Sequence, residues 1–175
     1  MSDALWVLAG ILALAAGYTD WRWRRIPNWL TVPGLVVGIG ANAFTQGWTG
    51  VKSSLLGVGL GLALLLPLVL VRSLGAGDWK LAGALGAFVG PQRLIAVLLG
   101  TILVAGLMAI VLIIAKRRVG QTARNIWQML VALVRFHMPS REVSLDNPES
   151  LKIPFGVAMA ATVVAMAVGH MARVG

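Results

Sequence analysis

The chain has 175 residues, 58% of them hydrophobic and only 12% charged, and it contains no cysteine. A soluble domain of this length could not hide so much apolar surface, so the composition indicates an integral membrane protein; disulfides and thiolate metal sites are excluded. The net charge of +9 would suggest nucleic acid as partner of a soluble protein, but in a membrane protein basic residues gather in cytoplasmic loops against anionic lipid, so lipid and no nucleic acid is expected.

Six apolar runs follow one another, at 3–19, 29–46, 52–72, 79–90, 92–115 and 152–172. A bilayer core takes roughly 20 residues of helix, so the fourth run is too short unless it is re-entrant or the bilayer thins. Charge decides for six crossings. With the amino terminus outside, twelve of the fifteen basic residues fall inside, leaving Lys52, Arg93 and Arg173 outside. A re-entrant fourth run would move the basic stretch after Ala115 to the outer side, against the positive-inside rule.

The first run ends in Ala13-Leu14-Ala15, which resembles a signal cleavage site, but its leading flank carries Asp3 and no base, so it reads as a retained helix. An aromatic belt is expected, with Trp21, Trp23, Trp29, Trp79 and Trp127 at the inner interface and Trp6 and Trp48 at the outer one. Residues 116–150 are the only sizeable polar segment. Val119, Ala123, Ile126, Leu130 and Leu133 recur there at helical spacing, which predicts a cytoplasmic interfacial helix, either tying two spans together or gripping a partner. The fold expected is therefore a single all-α integral membrane domain over 1–175. It is a six-transmembrane-helix bundle with both termini outside and a cytoplasmic loop at 116–151.

Of six acids, Asp3, Glu142, Asp146 and Glu149 lie in solvated places. Asp20 closes the first run and Asp78 opens the fourth, both at the inner side. An acid in a membrane helix is costly and usually faces a partner or a wet cavity. Asp78 could simply cap its helix. Two neighbouring carboxylates, however, cannot both ionise cheaply, so one holds a proton while the other is charged. The charged member can take a proton from water and the neutral one can donate to a carbonyl, which is peptide hydrolysis without a metal. Gly75 and Gly77 allow a sharp turn beside Asp78 and room for a substrate chain.

Gly75-Ala76-Gly77-Asp78, followed by Trp79-Lys80-Leu81, resembles the GxGDxKL motif of prepilin peptidases, the type IV leader peptidases among the GxGD membrane aspartyl proteases. The stretch from Asp20 through three arginines to Ile26-Pro27-Asn28 is similar to that family's first-aspartate segment, and Pro154-Phe155-Gly156 to its Pro-Phe/Tyr-Gly element. The resemblance implies an endopeptidase of the bacterial inner membrane that removes the basic leader of type IV pilin-like precursors at the cytoplasmic face. Asp20 and Asp78 would be catalytic, and Gly75, Gly77, Lys80, Pro27, Asn28, Pro154 and Gly156 would support them. The absence of cysteine and of the larger members' amino-terminal zinc segment resembles the short, peptidase-only form of tight-adherence pilus systems. No cofactor, metal or methyl transfer is then expected, and His137 and His170 are too far apart in sequence to suggest a metal site.

The small residues Gly57, Gly59, Gly61, Gly83 and Gly86 would let either a pilin helix or the enzyme's own helices approach closely. Arg22, Arg24, Arg25 and Lys80 read chiefly as interface anchors, with Lys80 also a candidate to tune the acids. A rival reading is a small transporter or channel component with Asp20 and Asp78 as an ion or proton relay.

Overall fold

The computed structural model describes residues 3–70, 73–115 and 154–174. Among these, the chain is entirely helical: α1 (Asp3–Trp23), α2 (Asn28–Leu70), α3 (Ala76–Ala115) and α4 (Phe155–Val174). All four are long and apolar enough to cross a membrane. The expected interfacial helix, and with it Trp127, His137 and Asp146, lies outside the described residues.

Of the six helical runs expected from the sequence, the second and third join in α2 and the fourth and fifth in α3, each pair parted by one non-helical residue. The breaks foreseen near residues 47–51 and 91 are single left-handed glycines, Gly47 (φ 59°) and Gly90 (φ 74°), and no loop intervenes. One residue suffices because glycine enters the left-handed region at little steric cost. Each break reverses the chain. Asn42 Nδ2 and Ser54 Oγ both donate to the Ala87 carbonyl, at 2.8 and 2.7 Å. In an unbroken helix those two residues would stand ~18 Å apart. Likewise Gly61 lies against both Ala82 and Leu94, which flank Gly90.

The four segments of α2 and α3 pack through small residues. The backbones of Gly57 and Gly86 meet so closely that neither position has room for a Cβ, and Gly61 does the same against Ala82. Gly83 packs under Leu62, whereas Gly59 faces open space. The stretch Leu81–Gly90 is buried at every residue. Its short length is thereby explained: a segment wrapped in protein on all sides has no lipid thickness to match.

Antiparallel α1 and α4 form the other half. Leu5, Ala9, Leu12, Ala13 and Ala16 make the buried stripe of α1, and Gly17 lies directly on Ala160. At one end of this pair Asp3 Oδ1 meets His170 Nε2 at 3.4 Å. Trp6, expected in the outer belt, is instead 2% exposed and stacked near His170. It falls on the stripe of α1 that faces α4, and burial of a large ring there outweighs interfacial placement. Trp79 is half-buried, and its indole N–H donates to the Leu62 carbonyl at 2.7 Å. Trp21, Trp23, Trp29 and Trp48 are exposed, as a belt requires. The outer surface is apolar, with Phe44, Leu56, Leu103 and Ile114 among its exposed side chains.

Candidate active site

Four chain segments converge at the end of the molecule opposite the Asp3–His170 contact. The first is the close of α1. Its buried stripe runs on from Ala16 by one helical turn to Asp20, which is 8% exposed. Helical periodicity therefore carries the acid inward. The helix then stops at Arg24, the only non-glycine residue at positive φ (53°) among the described residues. Arg24 N–H donates to the Asp20 carbonyl at 2.8 Å, which closes the last turn. Left-handed backbone costs a side-chain-bearing residue about 1–2 kcal/mol, so glycine or asparagine normally takes this place.

The second segment is the turn itself. Ile26 is buried, and the Pro27 carbonyl accepts from Leu30 and Thr31 N–H, at 3.1 and 3.4 Å, to start α2. The third and fourth are the first turns of α3 and α4. Gly77 sits against Ile26, where an added Cβ would fall 3.1–3.3 Å from the Ile26 Cβ, O and N atoms. Gly156 sits against both the Ile26 Cδ1 atom and Asp20. Ile26 is thus the pivot on which the starts of α3 and α4 bear, and a side chain at either glycine would push them apart.

Around this pivot the two carboxylates are treated differently. Asp20 Oδ2 accepts the Gly156 N–H at 2.9 Å. That amide belongs to the first turn of α4, whose unpaired N–H groups and positive dipole end suit an anion. The Pro154 carbonyl, also buried, receives Val157 and Ala158 N–H at 3.1 and 3.3 Å and fixes that turn in place. Asp78 occupies the third position of α3. One of its oxygens, Oδ2, lies over Gly75, whose N–H it accepts. The other, Oδ1, is shut off from solvent and has no hydrogen-bond partner among the described residues. Asp20 meets Gly156, which lies on Ile26, and Gly77 beside Asp78 lies on the same Ile26, so the two acids flank one side chain.

Lys80 does not turn to either acid. Its ammonium donates to Asn28 Oδ1 at 2.9 Å, and so ties the Gly-Ala-Gly-Asp segment to the Ile-Pro-Asn turn. All nine residues singled out in the sequence therefore fall in this one cluster: Asp20, Pro27, Asn28, Gly75, Gly77, Asp78, Lys80, Pro154 and Gly156. Ile26 is the residue sequence reasoning passed over. It stands in the same Ile-Pro-Asn stretch as Pro27 and Asn28, but an isolated isoleucine in an apolar chain carries no distinguishing mark.

Residues 6–114, well over half of the chain, match the type IV leader peptidase family. The chain belongs to that family. It is accordingly a peptidase, and its long apolar helices make it a multi-pass membrane protein. Proteins of prepilin type are the general substrate class of a leader peptidase. The matched stretch contains both Asp20 and Asp78 and ends before Gly156. No match was found among the curated proteins or the solved structures. Membership sets aside the transporter reading, and among the described residues no cluster of His, Cys, Asp or Glu could hold a metal ion.

Proposed function

We propose that this peptidase removes the short basic leader from type IV pilin-like precursors at the cytoplasmic face of the bacterial inner membrane, with water activated between Asp20 and Asp78. The observation that carries the reading is the unequal treatment of the two acids across the Ile26 pivot. Asp20 receives a backbone N–H from a helix amino terminus, the place where a negative charge is best held. Asp78 keeps one buried oxygen without a donor, the place for a proton. Asp20 then takes a proton from water as the water oxygen attacks the scissile carbonyl carbon, while Asp78 donates its proton to the carbonyl oxygen. When the tetrahedral intermediate collapses, the C–N bond breaks, the leaving amine takes the proton from Asp20, and Asp78 recovers its own. A glycine at the cut site suits this chemistry, since a helical peptide bond must unwind before water can reach it.

The membrane placement belongs to the same proposal. The bent helices α2 and α3 would each cross twice, giving six crossings with both termini outside. The chain, which has no cysteine, would act without metal, cofactor or methyl transfer.

Asp20→Asn and Asp78→Asn should each insert and fold, since the amide oxygen that Asp78→Asn leaves in place can still accept the Gly75 N–H. Each should lower cleavage of a co-expressed pilin precursor by at least about a thousandfold, with the double variant little worse, because the pair works as one unit. Asp146→Asn should cut normally. Near-normal cleavage by either single variant at 20 or 78, in properly inserted protein, would refute the two-aspartate mechanism.

A further inference from the structure

We propose that Trp79 is a positioning residue of the reaction: its indole grips α2 from one side while Gly77 and Lys80 hold the Ile26–Asn28 turn on the other, and this two-sided grip stops the first turn of α3 from rotating and so aims the Asp78 carboxyl. The inference rests on the two-aspartate reading above.

Consecutive residues of an α-helix stand about 100° apart around its axis, and residues three apart return to within about 60° of each other. Gly77 and Lys80 therefore share one face of α3, and that face meets a single turn of chain. Gly77 lies on Ile26, and Lys80 Nζ donates to Asn28 Oδ1 at 2.9 Å. Trp79 and Gly83 share the opposite face and meet Leu62, in the second half of α2. The Trp79 indole N–H donates to the Leu62 carbonyl at 2.7 Å, and the Leu62 side chain rests on Gly83, its Cδ2 atom 3.0 Å from where a Cβ would stand. The first turn of α3 is thus gripped across its width. Asp78 projects between the two grips, about 100° from Gly77 on one side and from Trp79 on the other.

Such a placement restrains the motion that would misdirect the acid. Side chains reach ~5–6 Å from a helix axis, so a rotation of about 10° carries a carboxyl group about 1 Å. An error of about 1 Å in a reacting group can cost on the order of a hundredfold in rate. Anchoring in the lipid interface accounts for Trp79 less well. Trp29, at the same end of the molecule, is 71% exposed as an anchor should be. Trp79 is half-buried against the core, and its N–H is taken by a backbone oxygen inside the protein.

Trp79→Phe, which keeps an aromatic ring and removes the N–H, makes the test. It would be purified in detergent and assayed on a synthetic precursor peptide with a basic leader, a glycine at the cut and an apolar stretch beyond it. The variant should melt within a few degrees of the parent and lose about tenfold or more in kcat, with KM within about twofold, since the misdirection acts on the reacting groups and not on substrate docking. Lys80→Met and Asn28→Leu both remove the hydrogen bond of the opposite grip. They should lose kcat alike, and the two combined should be little slower than either. Trp29→Phe should turn over at the parent rate. Normal kcat in Trp79→Phe overturns the inference, and so does an equal loss in Trp29→Phe or a loss confined to KM. A Lys80→Met variant far slower than Asn28→Leu would assign Lys80 a role through its charge and overturns the two-sided grip. If Asp20→Asn and Asp78→Asn are inactive in the same assay while Trp79→Phe is normal, the inference alone has failed. If the Asn variants are active, the dyad reading has failed with it.

Discussion

In the proposed mechanism the two oxygens of Asp78 serve fold and chemistry at once. Oδ2 reaches back to the Gly75 N–H from the third position of α3, which is half of a capping box. Oδ1 stays buried and unpartnered. In that mechanism, capping and catalysis, which compete as readings of the sequence, are divided between the atoms of one carboxyl group. Gly77 does comparable double duty. An alanine there would gain up to ~1 kcal/mol of helix propensity, but its Cβ would press on the Ile26 main chain at 3.1–3.3 Å, costing about 1–3 kcal/mol if the turn cannot yield. The two effects nearly cancel in stability, whereas any shift of Ile26 moves α3 and α4 relative to each other. Gly77→Ala should therefore melt within a few degrees of the parent and lose at least about tenfold in cleavage, because reacting groups tolerate little misplacement. Gly59→Ala, which meets open space, serves as the control for both measurements and should cut at the parent rate.

At the scale of elements, the folded-back helices α2 and α3 depend on one polar cluster. Pro91 has no N–H and cannot bond the Ala87 carbonyl four residues earlier, and Gly90 breaks the ladder beside it. Asn42 Nδ2 supplies hydrogen bonds to Ala87 O at 2.8 Å and to Phe88 O at 3.0 Å, while Ser54 Oγ adds a second to Ala87 O. The Asn42 amide oxygen is occupied in turn by Gln46 Nε2 at 3.0 Å. Broken helices survive in an apolar setting only when side chains take over the freed backbone groups in this way. Asn42→Leu, similar in volume, would strip the Phe88 carbonyl of this donor inside the bundle. It should destabilise the protein by about 1–3 kcal/mol, read as a lower melting temperature in detergent, with Ser54→Ala milder because Asn42 still serves Ala87. Equal stability of Asn42→Leu and the parent would show that water or relaxed backbone replaces the amide. The candidate active site lies at the other end of these segments, so activity per folded molecule should change far less than stability.

At the scale of the whole molecule, apolar surface faces outward and small residues face inward, the reverse of a soluble protein's economy of side chains. Leu55, Leu56, Leu64, Leu99, Leu103 and Leu107 are all more than half exposed, whereas glycines and alanines hold the interior contacts. Lipid is the solvent that makes this stable, and association among the helices then relies on close packing and internal hydrogen bonds. The proposed topology makes a direct prediction. A reporter inserted within 139–150 should register on the cytoplasmic side, because the basic residues of 116–152 would be retained there. A reporter signal from the outer side would require a different number of crossings and would separate the loop from the side proposed for the acids.

The sequence by itself determined the membrane class and the family and marked nine residues of the candidate site, because these depend on composition and on local motifs. Hydropathy, the GxGDxKL run and the Ile-Pro-Asn turn are all short-range signals, and the family match bears out the resemblance they carry. Helical periodicity along α1 also places Asp20 on the buried face that begins at Leu5 and Ala9. What only the tertiary structure decided is how separate segments meet. The inclusion of Ile26 as pivot, the bonding of Lys80 to Asn28, the burial of Trp6 and the single-glycine reversals at Gly47 and Gly90 all depend on neighbours far away in sequence. Even the shortness of the fourth apolar run has no local explanation. Hydropathy measures a segment against lipid, but Leu81–Gly90 is surrounded by other helices, and only the packed bundle reveals which solvent a segment meets.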